Sequence, residues 1–177
     1  MNQRCLAHLT AVGLSLALTG LPIARAATFT VTNTQSTGPG SLRQAIVDLN
    51  AASGNVHAIE AAEGLSGTIS VSTPLPEITK PVVRITGSGR DELTLDLARV
   101  QSLVVSPPPN GLFILEDLTI ANGLGVFGGC FQSLGSPILE FRRLRFVSCE
   151  ARNAGPAFGG AIDASGQVRI QDSEFRE

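Results

Sequence analysis

The feature that most constrains this chain is an apolar pattern that returns at a nearly fixed interval. Phe113, Leu115, Leu118 and Ile120 recur as Leu139, Phe141, Leu144 and Phe146, all four at an offset of 26. A third row, Val168, Ile170, Ser173 and Phe175, follows at 29, with Ser173 its one polar lapse. A second word recurs too: Phe127-Gly-Gly-Cys-Phe131 returns as Phe158-Gly-Gly-Ala-Ile162 at 31. Turn lengths vary while the strand words stay in phase. Periods of this size mean a solenoid, in which each repeat buries its face only by stacking on its neighbours. Helical solenoids conflict with the period-two alternation of the words. A leucine-rich repeat would need its Asn-centred signature and a helical return, and neither occurs. The pattern predicts an all-β chain wound as a right-handed parallel β-helix, the hand following from the preference of parallel crossovers.

Upstream of the repeat the text fits the same architecture. Thr68–Ser72, Val82–Ile85, Leu93–Leu95 and Ser102–Val105 are short β-rich words separated by Gly, Pro and Ser. Phe29-Thr-Val-Thr32 reads as a strand, stopped by Gly38-Pro-Gly40. Ser41 then has the form of a helix N-cap, with Gln44 placed to complete a capping box. Leu42, Ala45, Ile46 and Leu49 follow at i, i+3, i+4 and i+7, one apolar stripe on a helix of about three turns. Residues 27–66 therefore read as an N-terminal cap of one strand and one amphipathic helix that plugs the open end. Residues 67–177 read as coils, and the full strand word at Val168–Phe175, with no polar cap after it, predicts further coils beyond Glu177 or end-to-end self-association.

The segment Met1–Ala26 reads as a removable export signal. Leu9 to Ala24 is apolar and uncharged, and Ala24-Arg25-Ala26 has the small-x-small form of a cleavage site. No later segment approaches the length of a membrane span. Without Arg4 and Arg25 the 13 basic residues fall to 11 against 15 acidic, a formal charge of −4. That balance disfavours nucleic acid as a partner, because phosphate neutralisation needs clustered Lys and Arg. One histidine, His57, survives cleavage, so a multi-histidine metal site is excluded and no cofactor is expected. Trp and Tyr are absent, which removes the usual aromatic platforms for sugars. The remaining cysteines, Cys130 and Cys149, are either buried small hydrophobes or, in an oxidising compartment, a disulfide.

Two stretches carry a family likeness. Phe29-Thr-Val-Thr…Gly38-Pro-Gly-Ser-Leu-Arg-Gln-Ala-Ile46 resembles the N-terminal segment of exported bacterial β-helix proteins, the CSLREA-domain and polymorphic outer-membrane-type proteins. Gly159-Gly-Ala-Ile162 is similar to their Gly-Gly-Gly-Ile repeat. Gly40 and Gln44 stand where the CSLREA motif has a cysteine and an acidic residue. The resemblance implies an exported β-helix at the cell surface, outer membrane or periplasm.

The charged residues of the repeat admit two readings. Polysaccharide lyases and glycoside hydrolases that resemble this fold place clustered carboxylates on an exposed strand face. Here the repeat alignment stacks Asp117 over Arg143 and Arg143 over Asp172, Glu116 over Arg142, Glu140 over Arg169, and Arg145 over Glu174. Coils lie ~4.8 Å apart, so alternating charge in a column attracts and like charge repels. These residues are expected to form structural ladders, with no catalytic set among them. Asp163 has no aligned charged partner and is expected in a turn. Gly87-Ser-Gly89 and Gly128-Gly129 lack the helix and lysine of a phosphate loop and are expected at tight corners. His57 is expected to be solvated, and Arg43 to face solvent or bond a carbonyl. The functional expectation is a secreted or cell-surface scaffold, adhesin-like, presenting an elongated face to a glycan or a surface protein. The alternative is a polysaccharide lyase or glycoside hydrolase whose site lies on coils beyond this chain.

Overall fold

A computed structural model describes residues 26–152 and 160–177. In chain order the elements begin with β1 (Ala27–Val31), α1 (Leu42–Ala51), β2 (Val56–Ala61), β3 (Gly67–Ser70), β4 (Val82–Thr86), β5 (Leu93–Asp96), β6 (Leu103–Val105) and β7 (Leu112–Glu116). They continue with β8 (Thr119–Ala121), β9 (Leu124–Gly125), β10 (Phe131–Ser133), β11 (Ile138–Arg142), β12 (Arg145–Val147), β13 (Glu150–Ala151), β14 (Ile162–Asp163), β15 (Gln167–Gln171) and β16 (Glu174–Arg176). All strand pairs among them are parallel, and the strands stack into a β-solenoid of about five turns. One sheet has six strands in the order β1-β2-β4-β7-β11-β15, and a second has five, β16-β12-β8-β5-β3. Strands β14, β10 and β6 form a third, and β13 pairs with β9.

The register follows the sequence offsets. Phe113 pairs with Leu139 and Leu139 with Val168. Ile120 pairs with Phe146 and Phe146 with Phe175. Phe131 pairs with Ile162. Phe158 and Gly159 of the second word lie outside the described residues. Because side chains alternate across each strand, one residue in two points into the coil at a constant position along the axis. Val83, Ile85, Phe113, Leu115, Leu139 and Phe141 are buried there. The rings interlock between sheets: Phe131 meets Phe141 edge-on at 4.9 Å, and Phe141 meets Phe146 edge-on at 6.0 Å. Val168, Ile170 and Phe175, the same positions in the last coil described, are exposed.

At the other end, α1 packs on β1 and β2 with Leu42, Ala45, Ile46 and Leu49 buried. Ser41 caps it, its hydroxyl accepting from the Gln44 amide at 3.2 Å. The capping box is only half made. The Gln44 side chain donates forward to Asp48 at 2.8 Å, and the Ser41 amide bonds Gly38 O instead. Arg43 holds three carbonyls, those of Ser36, Thr73 and Pro74, and so ties the helix to the loop after β3. Among the described residues no helix is long and apolar enough to cross a membrane. The expected leader, apart from Ala26, lies outside the described residues.

Three local expectations are corrected. Strand β2 is an addition to the expected set; it pairs with both β1 and β4 and so carries β1 into the main sheet. His57 is not solvated: it faces inward from β2 and is 2 % exposed. Its Nε2 donates to Gly54 O at 3.1 Å, which leaves Nδ1 bare, buried and without a partner. Asp163 ends strand β14, paired with Gln132, and is not in a turn. The glycines at 87 and 129 do sit where backbones crowd. A Cβ on Gly87 would lie 2.1 Å from Asp117 O, and one on Gly129 would lie 2.4 Å from the Glu150 amide.

Cys130 and Cys149 are joined as a disulfide, closing a sequence separation of 19. The bond links the start of the β10 segment to the corner before β13, so it clips one side of a coil to another. Cys130 is fully buried and Cys149 packs against the same core. Closing a loop of this length should stabilise the fold by about 3 kcal/mol. Thiol titration of unfolded, unreduced protein is expected to find neither cysteine free, and reduction to lower the melting temperature by several degrees. Two titratable thiols would show that the bond does not form.

Candidate binding face

The outward residues of the six-stranded sheet form columns set by the same register. One runs Ala58, Arg84, Ile114, Glu140, Arg169, and the next runs Glu60, Thr86, Glu116, Arg142, Gln171. At the corner beyond them stand Asp117, Arg143 and Asp172, each in the left-handed region with φ of 60°, 53° and 49°. The last three coils make the same two-residue bend there, from β7 to β8, β11 to β12 and β15 to β16, to pass from the six-stranded to the five-stranded sheet. Aspartate accepts that conformation readily, arginine less so.

Glu116 is the centre of this face. It is 5 % exposed, and three guanidiniums converge on it: Arg143 at 3.2 Å, Arg84 at 3.6 Å and Arg142 at 3.9 Å. The Thr86 hydroxyl donates to it at 3.1 Å. Arg143 also grips both oxygens of Asp117, at 2.6 and 2.7 Å, a bidentate pair that pushes the guanidinium pKa further above its ordinary value. Glu140 is bonded by Arg142 and, at 3.3 Å, by Arg169. A separate pair stands on the five-stranded sheet, where Arg145 bonds Glu174 and reaches Asp91 at 2.7 Å. Hydrogen bonds from Arg145, then Arg176, hold the Glu174 carboxyl below the usual range.

The structure thus brings together Asp117 with Arg143, Glu116 with Arg142, Glu140 with Arg169 and Arg145 with Glu174. It does not bring Arg143 to Asp172. The Arg143 fork is spent on Asp117 and Glu116 in the preceding coil, and among the described residues the Asp172 carboxylate makes no ion pair. Asp172 instead offers its carbonyl to Arg90 at 2.7 Å. Sequence reasoning missed Arg84, Thr86, Arg90 and Asp91. Strand β4 pairs with β7 at an offset of 30, and β5 with β8 at 25, because the corner at 87–92 is longer than its successors. Phasing each half of that coil separately would have found Arg84 and Thr86; Arg90 and Asp91 stand in the extra length of the corner, where no later coil offers a position to align.

The vertical order of these charges decides what the face can do. The Glu116 and Glu140 side chains are 7 % and 12 % exposed, whereas Arg84, Arg143 and Arg169 are 49 %, 48 % and 66 % exposed. Carboxylates lie beneath and guanidiniums outside. Glu116 and Glu140 are each covered by a cation, whereas Glu60, in the column of Glu116, is exposed and makes no ion pair among the described residues. Among the described residues no three His, Cys, Asp or Glu side chains gather as a metal site would need.

Two measurements test this electrostatic account. Arg143→Glu sets a third carboxylate against Asp117 and Glu116 and should cost about 1–2 kcal/mol at this partly exposed site. Adding Asp117→Lys should recover much of that loss in thermal melts, because the two positions are coupled; equal melting temperatures for all three proteins would show that the pair contributes nothing. The Glu174 carboxyl is lowered in the folded state, so its contribution is complete above the unfolded value and is lost as pH falls through the folded one. Carboxyl titration by NMR should place Glu174 below the ordinary glutamate value, and Arg145→Gln should raise it toward that value, with Arg176 still holding it down in part.

No protein-family model matches the chain, and no curated protein and no solved structure matches it significantly.

Proposed function

We propose that this chain is an exported, non-catalytic scaffold that binds a partner on the outer face of its six-stranded sheet. The observation that carries the reading is the inversion of charge on that face: buried glutamates hold arginines outward on a chain whose formal charge is −2. The solenoid is right-handed in this reading, as parallel crossovers prefer, and α1 closes its N-terminal end. Export is supported by the leader-like segment Met1–Ala26 and by the disulfide, which persists in oxidising compartments. The resemblance to CSLREA-domain and polymorphic outer-membrane-type proteins points the same way, to an adhesin-like protein of the cell surface or periplasm that engages a glycan or a surface protein.

N-terminal sequencing of the protein recovered from an extracytoplasmic fraction should begin at Ala27 or close to it; an intact Met1 would count against cleavage. Incubation with acidic and neutral polysaccharides should release no shortened or unsaturated product. Turnover that disappears on Asp117→Asn or Glu140→Gln would overturn the scaffold reading in favour of a polysaccharide lyase or glycoside hydrolase.

A further inference from the structure

Beside the arginine columns runs a third outward column, and it is aliphatic. Val56 pairs with Val82, Val82 with Leu112, and Leu112 with Ile138. Val56 is 49 % exposed and the other three are half-buried. The column lies two residues along each strand from Ala58, Arg84, Ile114 and Glu140, a lateral spacing of ~6.7 Å. Where these columns meet β1 the surface dips into a groove of about 290 Å³, lined by Ala26 to Thr28 at one end and by Val56, Val82, Arg84 and Glu60 further along. Farther along the axis a smaller depression of about 100 Å³ lies among Glu140, Arg142, Arg169 and Gln171.

We infer that this groove takes an extended peptide in which acidic and apolar residues alternate, lying along the solenoid axis. The inference rests on the scaffold reading and names its ligand class. A fully extended chain sends successive side chains to opposite sides, so a segment in the valley turns one set to the aliphatic column and the other to the arginines. Arg84 and Arg169 stand three strand spacings apart, ~14 Å, which is about four residues of extended peptide and so returns to the same side. Their guanidiniums are the least committed of the face: Arg84 meets Glu116 only at 3.6 Å, and Arg169 gives Glu140 one contact at 3.3 Å. Both therefore keep donors for a carboxylate of the ligand. Glu60 and Glu140 oppose an acidic ligand locally. Glu140 is covered by Arg142 and Arg169, and Glu60, exposed and without an ion pair among the described residues, stands one column beyond Arg84, away from the aliphatic column. A polyanionic glycan would use the arginines but leave the aliphatic column without a role, and a neutral glycan would find no Trp or Tyr to stack on.

The test measures binding of fluorescein-labelled eight-residue peptides to the full chain by anisotropy at low salt. The Glu-Val alternating peptide should bind, and replacing its Glu by Lys or its Val by Ser should weaken binding at least tenfold. Arg84→Ala with Arg169→Ala should weaken it at least tenfold, and Val56→Ser severalfold, with circular dichroism and melting temperature preserved. Arg99→Ala, on another part of the surface, should leave it unchanged. Equal binding of the Glu-Ser peptide would remove the aliphatic column from the site and overturn the inference, as would absence of binding by every peptide. Heparin binding tighter than any peptide and indifferent to Val56→Ser would assign the face to a polyanionic glycan, overturning the peptide while leaving the scaffold standing. Only turnover of a polysaccharide would bring down both.

Discussion

The structure depends on one constraint, the in-phase stacking of parallel strands from coil to coil. Each coil hands its backbone to the next through inter-strand bonds such as those from Leu112 to Pro81 O and from Ile138 to Gly111 O, both at 2.8 Å. No coil has a core of its own; Phe113 is buried because Val83 and Leu139 lie above and below it. A slip of one residue would turn Phe113 and Leu115 outward and bring Ile114 and Glu116 into the coil, so register and core specify each other. Insertions are tolerated only where they leave the strands in phase, which is why the corner at 87–92 and the connection after β13 take up the variation in length.

The same stacking that builds an apolar column inside builds a charged one outside, and there it raises a problem. Glu116 is taken out of water by its neighbours in the columns, and an unpaired buried carboxylate would be expensive. Three arginines and Thr86 answer it, drawn from the coil before and the coil after. More than one guanidinium meets the glutamate, and Arg142 and Arg143 are shared with Glu140 and Asp117, so the charges balance while the guanidiniums lie outermost. An outward layer of guanidiniums thus arises as a by-product of satisfying a buried acid. The corner residue Arg143 shows how firmly this geometry is held, since it keeps a left-handed backbone that arginine does not favour while gripping Asp117 and Glu116 together.

Much of this was legible in the sequence, and what was not has identifiable causes. The offsets of 26 and 29 specified the pairing of β7, β11 and β15 residue by residue, and the stripe from Leu42 to Leu49 specified the buried face of α1. Strand β2 escaped because Val56-His-Ala-Ile-Glu-Ala61 has a polar residue at one of its inward positions. Its partner two strands on is in phase at the same interval that relates β7 to β11, Ile59 with Ile85, and that spacing was the missed signal. Column charge was readable as opposite signs at stacked positions. The choice among competing partners was not, because an arginine can lean to the coil before or the coil after; Arg143 leaned back to Asp117 and away from Asp172. Burial of Glu116 was also beyond a pattern of alternation, since an outward strand position becomes buried only when long neighbours fold over it.

A solenoid face differs from a pocket in the kind of ligand it can select. Its columns repeat at the strand spacing of ~4.8 Å, so any recognition element is offered again one coil later. A compact ligand gains nothing from that repetition, whereas an extended one can touch several coils and sum contacts that are each weak. Here the repetition is imperfect: Arg84 and Arg169 share a column, but Ile114 and Glu140 interrupt it, and the aliphatic column ends where Gln167 follows Ile138. Those interruptions give the face a beginning, an end and a polarity along the axis, which a perfect repeat would lack. A ligand that matches them is fixed in register, and one that merely carries charge is free to slide. Selectivity on such a surface therefore comes from the places where the repeat breaks, while affinity comes from the places where it holds.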